Sequence, residues 1–249
     1  MNVLILAAGY ATRLYPMTLN KAKPLLVVGG KPIIEWLVDN LAGIPDLETI
    51  YVVTNNKFAA DFQAWAQDYH KRHPEFEFKV VNDGSASDDD KLGAIGDINF
   101  VVTHENLSQS SLLIAAGDNV FTSSVADFVA YAKNTEVTVA VYDVCDTDAI
   151  KKYGNVTVDA EGIITRFEEK PQKPHGTLAA IALYYYSPAI LSLLTTYLAA
   201  GNNADQPGRF VQWLYARKPV KTFQIKGQWL DIGSKETLEN ADRVLASTR

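Results

Sequence analysis

The chain has 249 residues, 47% hydrophobic and 21% charged, which suits a globular chain long enough for one large or two small domains. Its formal net charge of −6 argues against nucleic acid or an anionic membrane as the main partner, since both select a basic face. The one cysteine, Cys145, excludes an internal disulfide and a cysteine-based metal cluster, and its place after an apolar strand predicts a buried structural thiol.

In chain order, residues 3–8 read as a buried strand that runs into a turn of small residues, Ala7, Ala8, Gly9 and Ala11. Arg13 follows, and Lys23 lies ten positions further on. Small residues let backbone N–H groups approach an anion closely, and two cations converging there suit a polyphosphate. Residues 32–41 predict a helix with Ile33, Ile34, Leu37, Val38 and Leu41 on one face. A strand at 49–54 and a helix at 57–71 come next. Further strands are predicted at 76–81, 112–115 and 137–144, with helices near 92–99 and 125–133 between them. This alternation implies a largely parallel sheet with helices on both faces.

The second half reads differently. Hairpin-like strands are predicted at 155–158, 163–168 and 178–186, where Tyr184, Tyr185 and Tyr186 read as strand packing. Helices at 188–199 and 208–216 follow, then a strand at 220–225 and a C-terminal helix from about residue 235. Arg209, behind Pro207 and Gly208 at a probable helix start, is a candidate cation for a phosphate. The histidines at 70, 73, 104 and 175 show no metal-ligand spacing, and the acidic run Asp88, Asp89 and Asp90 reads as a charged loop. Without a linker, a repeat, a basic leader or an apolar run of bilayer length, a single domain and a cytoplasmic location are expected.

Four segments carry a resemblance to a known family. They are Leu6-Ala7-Ala8-Gly9-Tyr10-Ala11-Thr12-Arg13-Leu14 with Ala22-Lys23-Pro24-Leu25-Leu26 and Lys31-Pro32-Ile33-Ile34; Ala116-Gly117-Asp118-Asn119; Phe167-Glu168-Glu169-Lys170-Pro171; and Trp229-Leu230-Asp231-Ile232-Gly233-Ser234. In this order they resemble the motifs of the sugar-phosphate nucleotidyltransferases, the family of glucose-1-phosphate thymidylyltransferase. Two departures stand out: Ala11 replaces a glycine, so the turn must tolerate a Cβ, and Ala22 replaces a proline.

The resemblance implies a Rossmann-like nucleotidyltransferase fold, with a mixed, mostly parallel sheet, helices on both faces and a small sugar-binding β subregion. Within one domain over 1–249, a nucleotide-binding part would span about 1–145, an acceptor part about 146–233 and a C-terminal helix about 235–247. The reaction implied is attack by a phosphate-monoester oxygen on the α-phosphorus of an NTP, releasing pyrophosphate. Two polyanions must meet, so positioning and electrostatics dominate and no nucleophilic side chain is required.

In that reaction the turn Leu6–Thr12 (Leu6, Ala7, Ala8, Gly9, Tyr10, Ala11 and Thr12) would cradle the nucleotide. Arg13 would hold the β- and γ-phosphates, and Lys23 would neutralise the α-phosphate. Asp118 and Asp231 would hold Mg2+, whose hard coordination suits carboxylates plus phosphate oxygens. Glu169 would bind acceptor hydroxyls, Lys170 the acceptor phosphate once Pro171 turns it inward, and Gly154, after Tyr153, the sugar. Asn82 and Gly93 would read the base, which slightly favours a pyrimidine without naming it. Partners are therefore an NTP and a sugar 1-phosphate, with a homo-oligomer in keeping with the family. A cytidylyltransferase acting on phosphocholine or a phosphonate, an NDP-sugar-consuming glycosyltransferase and a silent nucleotide sensor are the alternatives. No hexapeptide repeat follows the last motif, so a single activity is expected.

Overall fold

The structure is a computed structural model that describes residues 1–246; the last position of the expected C-terminal helix, residue 247, lies outside the described residues. The apolar opening forms β1 (Asn2–Leu6), with Val3, Leu4 and Ile5 fully buried. Two short strands, β2 (Val27–Val28) and β3 (Lys31–Pro32), pair antiparallel before α1 (Ile33–Asp39). Then come β4 (Thr49–Thr54), α2 (Ala59–Arg72) and β5 (Glu77–Asn82). The next elements are α3 (Ala94–His104), β6 (Leu112–Ala116), β7 (Asn119–Phe121), α4 (Ala126–Ala132) and β8 (Val137–Asp143). After these lie β9 (Gly154–Val158), β10 (Ile164–Glu169), β11 (Leu178–Tyr186), α5 (Pro188–Ala199) and α6 (Pro207–Leu214). The chain continues with β12 (Lys221–Gln224), β13 (Trp229–Asp231) and α7 (Lys235–Ala246).

These elements divide into two units. The first holds Met1–Leu92, Ala115–Ala126 and the described residues from Gly227 onward. In it β1, β4 and β5 run parallel, with Val3 opposite Ile50 and Val52 opposite Val80. Strands buried on both faces need helical cover, which explains why β1 and β4 read as unbroken apolar runs. The small ladder β7–β13 sets Asp231 opposite Asn119 and Trp229 opposite Phe121. One hydrophobic cluster gathers Leu14, Leu26, Val28, Ile33, Val120, Ile232, Ala241 and Leu245.

The second unit, Gly93–Ile114 with Asp127–Lys226, is largely antiparallel. β11 pairs antiparallel with both β8 and β9, and β9 with β10, while β12 runs parallel to β8. Tyr184, Tyr185 and Tyr186 are buried along β11, as strand packing requires. Phe210 of α6 meets Tyr186 and Tyr197 edge-on and stacks on Trp213, so α6 packs through aromatic rings.

The α/β class and the order of the longer elements follow the sequence reading. The ladders β2–β3 and β7–β13 escaped it, because two- and three-residue strands carry no measurable period. The reading of Cys145 as a buried thiol is corrected: the residue is exposed, in a left-handed turn where its N–H donates to Asp143 at 2.9 Å. β8 ends at Asp143, so the apolar pattern stops short of it. Among the described residues no helix is long and apolar enough to cross a membrane.

Candidate active site

The turn after β1 is tied down through its carbonyl groups. Thr54 Oγ1 donates to the Ala7 carbonyl, Asn55 Nδ2 to that of Ala8 at 2.9 Å, and Thr18 Oγ1 to that of Ala11 at 2.8 Å. The Tyr10 ring is buried and its hydroxyl donates to the Ser85 carbonyl at 3.2 Å. Fixing the carbonyls in this way commits them to the protein, as the Ala7 N–H is committed to the Val53 carbonyl at 2.9 Å. Ala11 carries its Cβ in a left-handed conformation that favours glycine, φ 50° and ψ 42°, and the Thr18 hydrogen bond to its carbonyl holds it there. Thr12, Arg13 and Leu14 form the 3-10 turn that follows; Arg13 is exposed, while Leu14 sinks into the hydrophobic cluster.

Lys23 stands at the junction of two motifs distant in sequence. Its ammonium is ion-paired with Asp118 and donates to the Ile232 carbonyl at 2.9 Å. Asp118 accepts a second hydrogen bond, from Asn119 Nδ2 at 2.8 Å, and Asn119 Oδ1 accepts from the Trp229 indole N–H at 2.6 Å. A continuous chain of polar contacts therefore runs from Trp229 through Asn119 and Asp118 to Lys23 and back to the Asp231 segment. The Ile232 N–H closes it by donating to the Asp118 carbonyl at 3.2 Å. Burial pushes the Asp118 carboxyl up, but the Lys23 charge and the hydrogen bonds from Lys23 and Asn119 outweigh it and leave the group below the ordinary aspartate range.

The same hydrophobic cluster anchors all four of these segments. Leu14 follows Arg13, Leu26 ends the Lys23 loop, Val120 follows Asn119 and Ile232 follows Asp231. Hence Lys23, Asp118 and the Asp231 segment are in contact, and Arg13 rises from the same base. The two carboxylates form no group of three metal-type ligands among the described residues.

In the second unit Glu169 ends β10, and its N–H donates to Gln212 Oε1 at 3.0 Å. A Cβ on Gly154 would lie 3.1 Å from the Glu169 carboxylate, so the glycine after Tyr153 borders that group. Burial raises the Glu169 pKa, with Lys170 and Arg209 pulling the other way. Lys170 departs from expectation. It is exposed rather than turned in, with the left-handed φ of 50° on Lys170 itself, and its N–H donates to the Tyr153 carbonyl at 3.0 Å. Arg209 is half-buried in the first turn of α6, where its Nε donates to Gln206 at 3.2 Å. It lines a cavity of about 290 Å³ with Tyr197, Asn202, Asn203, Gln212 and Trp213.

The two residues assigned to the base lie in different units. Asn82 is exposed at the end of β5, with its amide fixed by Asn56 at 3.0 Å and by the Gly84 N–H at 3.0 Å. Gly93 caps α3, whose first amides donate to the Ala204 and Asp205 carbonyls. The sequence motifs contain Asn119 and Trp229 but assign neither a role, and they do not include Gln212. The signal for the first two was the pairing of a buried indole N–H with an amide, which only the β7–β13 register reveals.

Residues 2–248 match the family model described as nucleotidyl transferase. A bifunctional protein GlmU of Methanocaldococcus jannaschii is 25% identical over 245 residues, 98% of this chain and 54% of that protein. The UTP–glucose-1-phosphate uridylyltransferase AglF of Haloferax volcanii is 26% identical over 247 residues, 98% of this chain and 96% of that one. This chain spans about half the length of the GlmU proteins it matches. A solved structure of UDP-glucose pyrophosphorylase complexed with UDP-glucose shares the fold, with a TM-score of 0.83 at 23% identity over 100% of this chain and 99% of that one. The four-motif resemblance and the whole-length match agree, and the chain belongs to the nucleotidyl transferase family.

Proposed function

We propose that this protein transfers a nucleotidyl group from an NTP to the phosphate of a sugar 1-phosphate, giving an NDP-sugar and pyrophosphate. The observation that carries this reading is the joining of Lys23, Asp118 and the Asp231 segment into one polar network beside the phosphate-type turn. A permanently charged Arg13 forked onto the β- and γ-phosphates and Lys23 on the α-phosphate would offset the charge that builds on the leaving pyrophosphate. Lys23 is ion-paired with Asp118, so drawing Lys23 onto phosphate would release that carboxylate for a cation.

Asp118 and Asp231 fit a hard divalent cation. The Asp118 carboxyl is held ionised, and a pair of carboxylates leaves the remaining positions to phosphate oxygens and water, the arrangement Mg2+ favours. When bound, Mg2+ would neutralise charge on the α-phosphate. Glu169 would accept hydrogen bonds from sugar hydroxyls, and Lys170 and Arg209 would attract the acceptor phosphate. A carboxylate held in a glycine-bordered, half-buried place suits a polyhydroxylated acceptor better than phosphocholine, which offers no hydroxyl donors. The relative named as a UTP–glucose-1-phosphate uridylyltransferase supports a pyrimidine nucleotide and a hexose 1-phosphate as first choices.

Pyrophosphate release from each common NTP, against a panel of sugar 1-phosphates and phosphocholine, tests the reading. Release with an NTP and a sugar 1-phosphate together is the expected result. Release only with phosphocholine, or consumption of an NDP-sugar without pyrophosphate, would replace it.

A further inference from the structure

Helix α6 meets Glu169 at two points on one face. A Cβ on Gly208 would stand 1.9 Å from one Glu169 carboxylate oxygen and 2.8 Å from the carboxyl carbon, so the carboxylate occupies the space that any other residue at 208 would fill. One turn later, Gln212 Oε1 accepts the Glu169 N–H at 3.0 Å. Positions 208 and 212 are four apart and share a helix face. The helix itself is locked by Phe210, buried against Tyr186 and Tyr197.

We propose that the Gly208–Gln212 face of α6 is the positioning element for Glu169, and through it for the acceptor; this rests on the acceptor role given to Glu169 above. The amide contact sets the height of the end of β10, and the empty Cα of Gly208 lets the carboxylate settle into one rotamer. Preorganised this way, Glu169 need not be ordered when a hydroxyl binds. Gly154 borders the same carboxylate, but a Cβ there would also come within 2.5 Å of the Phe167 ring, a buried core group. Substitution at 208 is therefore the cleaner probe, since only the movable end of the Glu169 side chain stands in its way.

The test measures acceptor KM, NTP KM, kcat and Tm for Gly208→Ala, Gln212→Ala, Glu169→Gln, Glu169→Asp and the Gly208→Ala/Glu169→Asp pair. The acceptor is the sugar 1-phosphate with the highest turnover in the pyrophosphate screen. Position 208 is helical and alanine favours helix, so G208A is expected to keep or slightly raise Tm. Its acceptor KM is expected to rise about tenfold, the loss typical of one displaced charged hydrogen bond, with NTP KM within about twofold. The shorter aspartate withdraws from the new methyl group, so adding G208A to Glu169→Asp is expected to cost clearly less than adding it to wild type. Gln212→Ala is expected to raise acceptor KM about threefold and carries the test if G208A fails to fold. Unchanged acceptor KM in G208A and Q212A, equal effects on both substrates, or strict additivity with Glu169→Asp would overturn the positioning role while E169Q still raises acceptor KM. An E169Q variant with unchanged acceptor KM would instead remove the acceptor role of Glu169, and this inference with it.

Discussion

In the first unit Asp118 is fixed by partners: Lys23 and Asn119 both bind its carboxylate, and Trp229 fixes Asn119 in turn. In the second unit Glu169 is fixed by empty space, because its carboxylate lies where a side chain on Gly208 would have been, with Gly154 bordering it. The electrostatic results are opposite. Asp118 sits below its ordinary range and Glu169 above it. A carboxylate neutralised by an ammonium keeps its charge ready for cations and phosphates. One that is desolvated gains by accepting hydrogen bonds from an arriving ligand, which suits hydroxyl recognition.

The harshest way to break this contrast is to remove the cations that the partnered region is built around. Dialysis against EDTA is expected to abolish pyrophosphate release and added Mg2+ to restore it; full activity after exhaustive chelation would end the metal assignment of Asp118 and Asp231. Lys23→Ala removes both the phosphate cation and the partner of Asp118, so kcat is expected to fall about 10³-fold. Arg13 is proposed to bind phosphate alone, and Arg13→Ala is expected to lower kcat about 10²-fold. Equal, small losses in both variants would show that Lys23 does no more than Arg13. In the region fixed by space, Glu169→Gln keeps the size and loses the charge. It is expected to raise acceptor KM about tenfold while NTP KM stays put, as steady-state kinetics on each substrate would show.

Stability against pH sharpens the same contrast in metal-free protein. The lowered Asp118 group contributes stability that is fully present above the ordinary aspartate value of 3.8 and is lost as pH falls from there through the lower value of the folded protein. The raised Glu169 group acts the other way. As pH climbs through 4.5, the unfolded chain releases a proton that the folded chain retains, so stability declines until the raised value is passed. Tm measured from pH 3 to 7 should therefore show Glu169→Gln gaining on wild type above about pH 4.5, and Asp118→Asn falling behind as pH rises to about 4 and keeping a constant deficit above it. Parallel curves for the two variants would contradict the opposite signs.

The two regions were also unequally legible in the sequence. Arg13 and Lys23 stand at a small-residue turn after an apolar strand, a pattern visible within one segment, whereas Asp118 and Asp231 are ordinary turn aspartates until the four motifs are taken together in order. The link between Asn119 and Trp229 was not legible, because it depends on the register of two three-residue strands. At Glu169 the difficulty is greater: what shapes the site is the missing Cβ of Gly208, and a glycine in a predicted helix start reads as ordinary capping until the carboxylate is placed on it. Strand alternation likewise put Glu169 on a face but did not foresee the left-handed break at Lys170, since a positive φ on a lysine before proline goes against local preference. Cys145 was misread for a simpler reason, an apolar run that ended two residues early.

The smallest expected effect concerns a place in the partnered region where a residue with a Cβ adopts glycine-like backbone. Ala11 is left-handed, φ 50° and ψ 42°, and its carbonyl is held by Thr18 at 2.8 Å. A Cβ in that conformation costs roughly 1–2 kcal/mol. Replacing it by glycine relieves the strain but adds freedom to the unfolded chain worth roughly 0.4–1 kcal/mol. The balance for Ala11→Gly is a gain between about 0 and 1.6 kcal/mol, equivalent to a Tm rise of no more than about 6 °C for a chain of this size. Turnover is expected to stay within about twofold, since the Thr18 hydrogen bond preserves the turn. A Tm that falls in Ala11→Gly would show that the turn is held by the alanine methyl rather than despite it.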